Sequence, residues 1–206
     1  DEVAAIRDRI DHPIIDGDGH LIEYIPLVRD FVKEIAGEDV ALRFDRLARR
    51  SALVRGVPIE KRRQHGVARI SWWALPAQNT LDRATAMTPR IMYERLDELG
   101  LDYALLFPTY GLPVTAEPDD ELRRAMARGF NRYYAECYGE YRDRMEPVAA
   151  IPMFTPEEAL AELDYAVGEL GLKAAMFSGV IMRPVPGVED TRGASWLDTL
   201  AHDSDY

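Results

Sequence analysis

The sequence is poor in the residues that several common chemistries require. Its 206 residues include one cysteine, Cys137, so no internal disulfide and no cysteine metal cluster can form. That economy fits a reducing compartment, and a cytoplasmic location is expected. Cys137 reads as a small buried apolar residue on a helix rather than a nucleophile. No apolar run approaches the roughly 20 residues of a membrane helix, and no signal peptide is visible. The chain begins at Asp1 without a methionine, which leaves a removed leader open. There is no G-x-G-x-x-G, no G-x-x-x-x-G-K phosphate loop and no G-x-S-x-G nucleophile elbow. Basic residues are outnumbered, 25 Lys and Arg against 36 Asp and Glu, for a formal net charge of -11 and a pI of about 4.9. Such a surface repels phosphate backbones, so neither nucleic acid nor a membrane is expected as a partner. A small anionic substrate remains compatible, because a buried cation can set the field of a pocket.

What is present is enough for a packed core: 47% of residues are hydrophobic and 30% charged. Residues 155–171 read as a helix. Thr155 caps it, Pro156 takes the first position and Glu158 closes a capping box. Leu160, Leu163, Val167 and Leu170 recur at helical spacing, Gly171 ends the helix, and Leu172 to Phe177 follows as a buried strand. The same grammar occurs earlier, with Thr88 and Pro89 opening a helix, Ile91, Leu96 and Leu99 on its apolar face, and Gly100 stopping it. Glu98-Leu-Gly-Leu-Asp-Tyr-Ala-Leu-Leu-Phe107 and Glu169-Leu-Gly-Leu-Lys-Ala-Ala-Met-Phe177 are visibly alike. A repeated helix, glycine and buried strand points to a parallel α/β fold.

Two more strands are expected, at Pro13 to Asp16 and at Glu146 to Ile151, the latter after a long helix from Asp119 to Tyr141. Strands are thus placed near 13–16, 103–107, 147–151 and 173–177. Each ends in turn-prone residues, where a parallel barrel keeps its active-site loops. Four strands are half of a (β/α)8 TIM-type barrel, which needs about 250 residues or more. The 206 residues therefore read as the first four βα units of one barrel domain, with a final helix beginning near Ala194 to Leu200. Residues 24–87 form an insertion longer than a barrel connection requires, suited to a lid or a subunit contact.

The candidate chemistry lies in Asp16-Gly-Asp-Gly-His20, expected directly after the first strand. Alternation along an extended chain puts Asp16, Asp18 and His20 on one face. Carboxylate and imidazole together suit zinc, with one position left open for water or substrate. The alternative is a turn whose aspartates satisfy backbone amides, with His20 at the surface. His12 reads as structural, His65 as a solvated residue of a basic loop, and His202 is too near the end to assign. Trp72 and Trp73 either line a substrate pocket or anchor the insertion to the core. Arg83 and Arg90 either orient a substrate carboxylate or form surface ion pairs.

Several segments resemble one family in order along most of the chain. They are Ile15-Asp-Gly-Asp-Gly-His20, Tyr93 to Thr109, Phe130-Asn-Arg-Tyr-Tyr134, Asp143 to Pro152, and Pro156 to Leu163 with Gly171-Leu-Lys173. The resemblance is to the amidohydrolase-related (amidohydrolase 2) enzymes, which include aminocarboxymuconate-semialdehyde decarboxylase and the γ-resorcylate decarboxylases. It implies a (β/α)8 barrel holding one divalent metal ion, zinc being expected and manganese the alternative. Its first-strand ligand motif, acid-or-histidine, any residue, histidine, falls on Asp18 and His20. Aspartate is a shorter ligand than the histidine or glutamate usual at the first position. The family's later histidine and its acid/base aspartate have no counterpart here, so the catalytic residue and the remaining ligands are expected beyond residue 206. Trp72, Trp73 and Arg83 are candidate substrate contacts. The implied reaction is hydrolysis, or non-oxidative decarboxylation, of a small carboxylated or aromatic molecule. A homodimer fits the long insertion. Two other readings stay open: a metal-free barrel acting as a binding or assembly module, and a half-barrel that pairs with itself to cover its sheet edges.

Overall fold

The structure, a computed structural model, describes residues 2–56, 58–64 and 79–179. Four strands form one sheet in the order β1 (Ile15–His20), β2 (Tyr103–Phe107), β3 (Met145–Ile151) and β4 (Ala174–Phe177). Every neighbouring pair is parallel, as the repeated helix-glycine-strand grammar requires. The helices are α1 (Glu2–Arg7), α2 (Ile25–Ala36), α3 (Glu38–Gly56), α4 (Ile59–Gln64), α5 (Thr80–Met87), α6 (Pro89–Leu99), α7 (Asp120–Tyr138) and α8 (Pro156–Leu163). None of them is long and apolar enough to cross a membrane. The helix expected near 194–200, together with His65, Trp72, Trp73 and His202, lies outside the described residues.

Two of the three local signals act as the sequence predicts at α6, while Thr88 takes the position before the helix with no side-chain capping hydrogen bond. Pro89 opens it, and Gly100 at φ +75 stops it, its N–H donating to Asp97 O. Only a residue without Cβ takes that left-handed conformation cheaply. The chain reverses into β2, whose start is tied to β1: the Asp102 carboxylate accepts the Ile14 N–H at 2.7 Å and pairs with Arg7.

Two expectations need correction. The first strand does not stop at Asp16. It runs on to His20, so the Gly17-Asp-Gly19 segment is strand rather than turn. Parallel pairing with β2 resumes at Gly19 and His20, in register with Leu106 and Phe107, and carries the strand past Asp16. The second correction concerns residues 155–171. Thr155 caps α8 by accepting the Glu158 N–H at 3.1 Å, but the helix gives way at Asp164 to a wider π turn through Glu169. Leu160 and Val167, expected on the buried face, are 59% and 46% exposed, while Glu158 and Glu162 are buried. The carboxylates turn inward because α7 offers them donors. Arg123 donates to Glu158 at 2.9 and 3.2 Å, and Asn131 donates to Glu162 at 2.8 Å.

The core lies between sheet and helices. Leu122, Met126, Phe130 and Tyr133 of α7 join Val28, Phe31 and Val32 of α2 and Ala104, Leu106, Met145, Ala149 and Ile151 of the strands. Each large apolar side chain so buried contributes about 1.5–3 kcal/mol. A Cβ on Gly129 would lie 2.9 Å from Val32 Cγ2, so glycine permits the close approach of α7 to α2. Val40, Ala41 and Phe44 of α3 join the same core. This part of residues 24–87 therefore packs into the helix layer. Cys137 is half-buried on α7, and burial pushes its thiol up to about 11, as suits a structural residue.

Candidate metal centre

His20 ends β1, in register with Phe107 at the end of β2. Its Nδ1 lies 3.1 Å from the Pro108 carbonyl oxygen. A carbonyl only accepts, so Nδ1 carries the proton, and in the neutral ring the lone pair sits on Nε2. Metal-binding histidines are commonly oriented in this way, one nitrogen bonded to the protein and the other directed to the ion.

The aspartates do not all join it. The register shifts between Asp16 and Gly19: Asp16 pairs with Ala104, Gly19 with Leu106 and His20 with Phe107. Residues in register share a face, so this bulge puts Asp16 on the Ala104–Leu106 side, opposite His20. The expectation of Asp16, Asp18 and His20 on one face fails there for Asp16. Its Oδ1 instead accepts the Asp18 N–H at 3.0 Å, which is the local role the turn reading gave it. A Cβ on Gly19 would lie 2.9 Å from Asp16 Oδ2 and 2.8 Å from Leu105 O, so the bulge admits only glycine. Asp18 is exposed and two steps from His20. Among the described residues there is no group of three or more His, Cys, Asp or Glu that could hold a metal ion.

Around this strand end lies a residue that reading the sequence missed. Glu23 is 1% exposed. Its carboxylate accepts N–H bonds from Tyr110 at 2.7 Å, Gly111 at 2.9 Å and Thr109 at 3.2 and 3.3 Å. The Tyr134 hydroxyl donates to it at 2.7 Å. Burial pushes the Glu23 carboxyl above its ordinary value, and these donors pull the other way. Burial, then the charge of Glu23, holds the Tyr134 hydroxyl well above its own. Thr109 Oγ1 is also buried, with no hydrogen-bond partner among the described residues. Such an orphan calls for an explanation, a water or ligand among them. The available signal for Glu23 was a lone charge inside the apolar run Leu21-Ile-Glu-Tyr-Ile25.

Of the remaining candidates, Arg83 is half-buried on α5. One turn further on, the Ala86 carbonyl accepts the Ile22 N–H at 2.7 Å, so α5 docks at the end of β1. Arg90 forms an exposed i,i+4 ion pair with Glu94 at 2.8 Å, which is the surface reading.

Comparison with known proteins gives no matching family model and no matching curated protein. Solved structures do match. The chain is similar to several decarboxylases. One is 2,6-dihydroxybenzoate decarboxylase complexed with 2,6-dihydroxybenzoate, at 21% identity and TM-score 0.46 over 84% of this chain and 41% of that one. Another is 5-carboxyvanillate decarboxylase from Novosphingobium aromaticivorans with bound manganese, at 18% identity and TM-score 0.49 over 82% and 42%. A third is dihydroxybenzoic acid decarboxylase from Polaromonas sp. with bound manganese and 2-nitroresorcinol, at 23% identity and TM-score 0.47 over 84% and 40%. The chain spans about two fifths of the length of these structures.

Proposed function

We propose that these residues are the first four βα units of a (β/α)8 barrel, and that the barrel is a metal-dependent enzyme of the amidohydrolase-related type. The observation that carries this reading is the His20–Pro108 hydrogen bond at the carboxyl ends of β1 and β2. It holds the imidazole by Nδ1 at the carboxyl end of a parallel sheet, where such folds keep their chemistry. Asp18 is the candidate carboxylate partner, two residues earlier in the strand.

One oxygen and one nitrogen donor fit part of the coordination sphere of zinc or manganese. Asp18 and His20 would hold such an ion together with ligands beyond residue 206. Bound there, the ion would supply Lewis acidity toward a carboxylate or carbonyl oxygen. The chain's own contribution is to fix His20 in one tautomer and to hold the β2 loop beside it. Arg83, Trp72 and Trp73 remain the proposed substrate contacts. The reaction is non-oxidative decarboxylation or hydrolysis of a small carboxylated aromatic compound, in a soluble cytoplasmic enzyme that forms a homodimer.

A screen of the full-length, metal-loaded protein against hydroxybenzoates, aryl amides and lactones tests the reaction. Release of carbon dioxide or of hydrolysis product, abolished in His20→Ala, supports an enzyme. Tight binding of such compounds with no turnover favours a binding module instead.

A further inference from the structure

The segment leaving β1 and the segment leaving β2 run side by side and are joined at successive rungs. His20 Nδ1–H donates to Pro108 O, and the Leu21 N–H donates to Phe107 O at 3.1 Å. Glu23 then accepts from the amides of Thr109, Tyr110 and Gly111. Three consecutive N–H groups converging on one carboxylate make an anion-binding nest, filled here by a side chain of the same protein. Gly111 is fitted to it: a Cβ there would lie 3.1 Å from Glu23 Oε1 and collide with the Tyr134 hydroxyl.

This is an expensive way to close a loop. Among the described residues the partners of Glu23 are neutral donors, and a carboxylate buried without a cation carries a desolvation cost of several kcal/mol. Loop amides could be met by water or backbone carbonyls at less cost. What the carboxylate adds is rigidity at one place, the backbone that follows Pro108.

We propose that Glu23 is a positioning residue for His20: by holding the amides of 109–111 it fixes the Pro108 carbonyl, which in turn fixes the tautomer and orientation of the His20 ring. This rests on the metal-enzyme reading for its purpose but not for its test. Through the loop, Glu23 acts on a ligand it does not touch.

The test is nitrogen-15 NMR of the histidine rings in the full-length, metal-free protein, with His20 assigned by His20→Gln. In the wild type, His20 is expected as the Nδ1-protonated tautomer. Glu23→Gln removes a carboxylate that accepts on both oxygens and puts an NH2 against the amides. It is expected to move His20 to a mixture of tautomers and to speed hydrogen exchange at 109–111. Manganese binding should weaken by about 10–100-fold, the usual cost of losing an outer-shell partner. Tyr134→Phe removes one donor and leaves the three amides, so it serves as a milder variant should Glu23→Gln fail to fold. It is expected to give a smaller shift in the same direction. A His20 ring that stays fully Nδ1-protonated in both folded variants overturns the proposal, even if stability falls. If the wild type binds no manganese, the metal reading fails, while the tautomer comparison still decides the role of Glu23.

Discussion

Asn131 of α7 exchanges two hydrogen bonds with the backbone of Ala150 in β3. The Ala150 N–H donates to Oδ1 at 2.8 Å, and Nδ2 donates to the Ala150 carbonyl at 3.1 Å. The pairing of β3 with β2 ends at Pro147, so the side-chain amide binds a strand residue that has run past that ladder. The second Nδ2 hydrogen goes to Glu162. One buried side chain thus ties helix α7, strand β3 and helix α8 together.

Asn131→Ala should therefore be costly out of proportion to its size. It strands a buried N–H, a buried carbonyl and part of the Glu162 carboxylate, and each unsatisfied group costs about 1–3 kcal/mol. A loss of about 3 kcal/mol or more is expected in urea unfolding. A loss under 1 kcal/mol would show that water replaces the amide.

Glu162 makes stability depend on pH. Burial lifts its carboxyl to about 7, against the pull of Asn131 and Arg128. A carboxyl raised in the folded state binds its proton more tightly there than in the unfolded chain. Its contribution is therefore fully present below about 4.5 and is lost as pH rises through about 7. Glu162→Gln, which keeps an acceptor for Asn131, should be nearly neutral at pH 4.5 and more stable than wild type by about 2–3 kcal/mol at pH 8. Thermal melts at the two pH values check this, and an equal difference at both would contradict it.

The Arg123–Glu158 pair is a different case. Both side chains are buried, at 2% and 5% exposure, and Arg123 also stacks over Phe154 at 3.5 Å. Breaking a buried pair from one side leaves an uncompensated charge and costs about 3–5 kcal/mol. Arg123→Met is expected to fall in that range. The double variant Arg123→Met with Glu158→Leu should recover most of it, because apolar replacement of both partners is commonly neutral. A double variant no better than the single would show that the pair holds the fold by more than mutual charge.

The parallel sheet was legible in the sequence because its signals are local. Pro89 and Gly100, Thr155-Pro156 and Gly171 each act within one turn of chain. The Asp18–His20 pair was legible as a motif. The bulge that puts Asp16 opposite His20 was not, since its register is set by β2, almost ninety residues away. The same holds for α8. Its leucine spacing indicated an apolar face, but the helix turns Glu158 and Glu162 inward because Arg123 and Asn131 wait on α7. Glu23 was hidden for the same reason, as its partners lie on the β2 loop and on α7.

Gly19 links fold to site. Gly19→Ala puts a methyl group against Leu105 O and the Asp16 carboxylate, and relief requires β1 to move. A cost of about 1–3 kcal/mol is expected from overpacking, together with weaker metal binding. Unchanged metal binding in this variant would mean that the bulge does not set the position of His20.

The most direct measurement is elemental analysis of the unchelated, full-length protein beside the double variant Asp18→Ala with His20→Ala. The account predicts about one zinc or manganese ion per chain in the wild type and its loss in the variant. A wild type without metal, or a variant that keeps its metal, would contradict it.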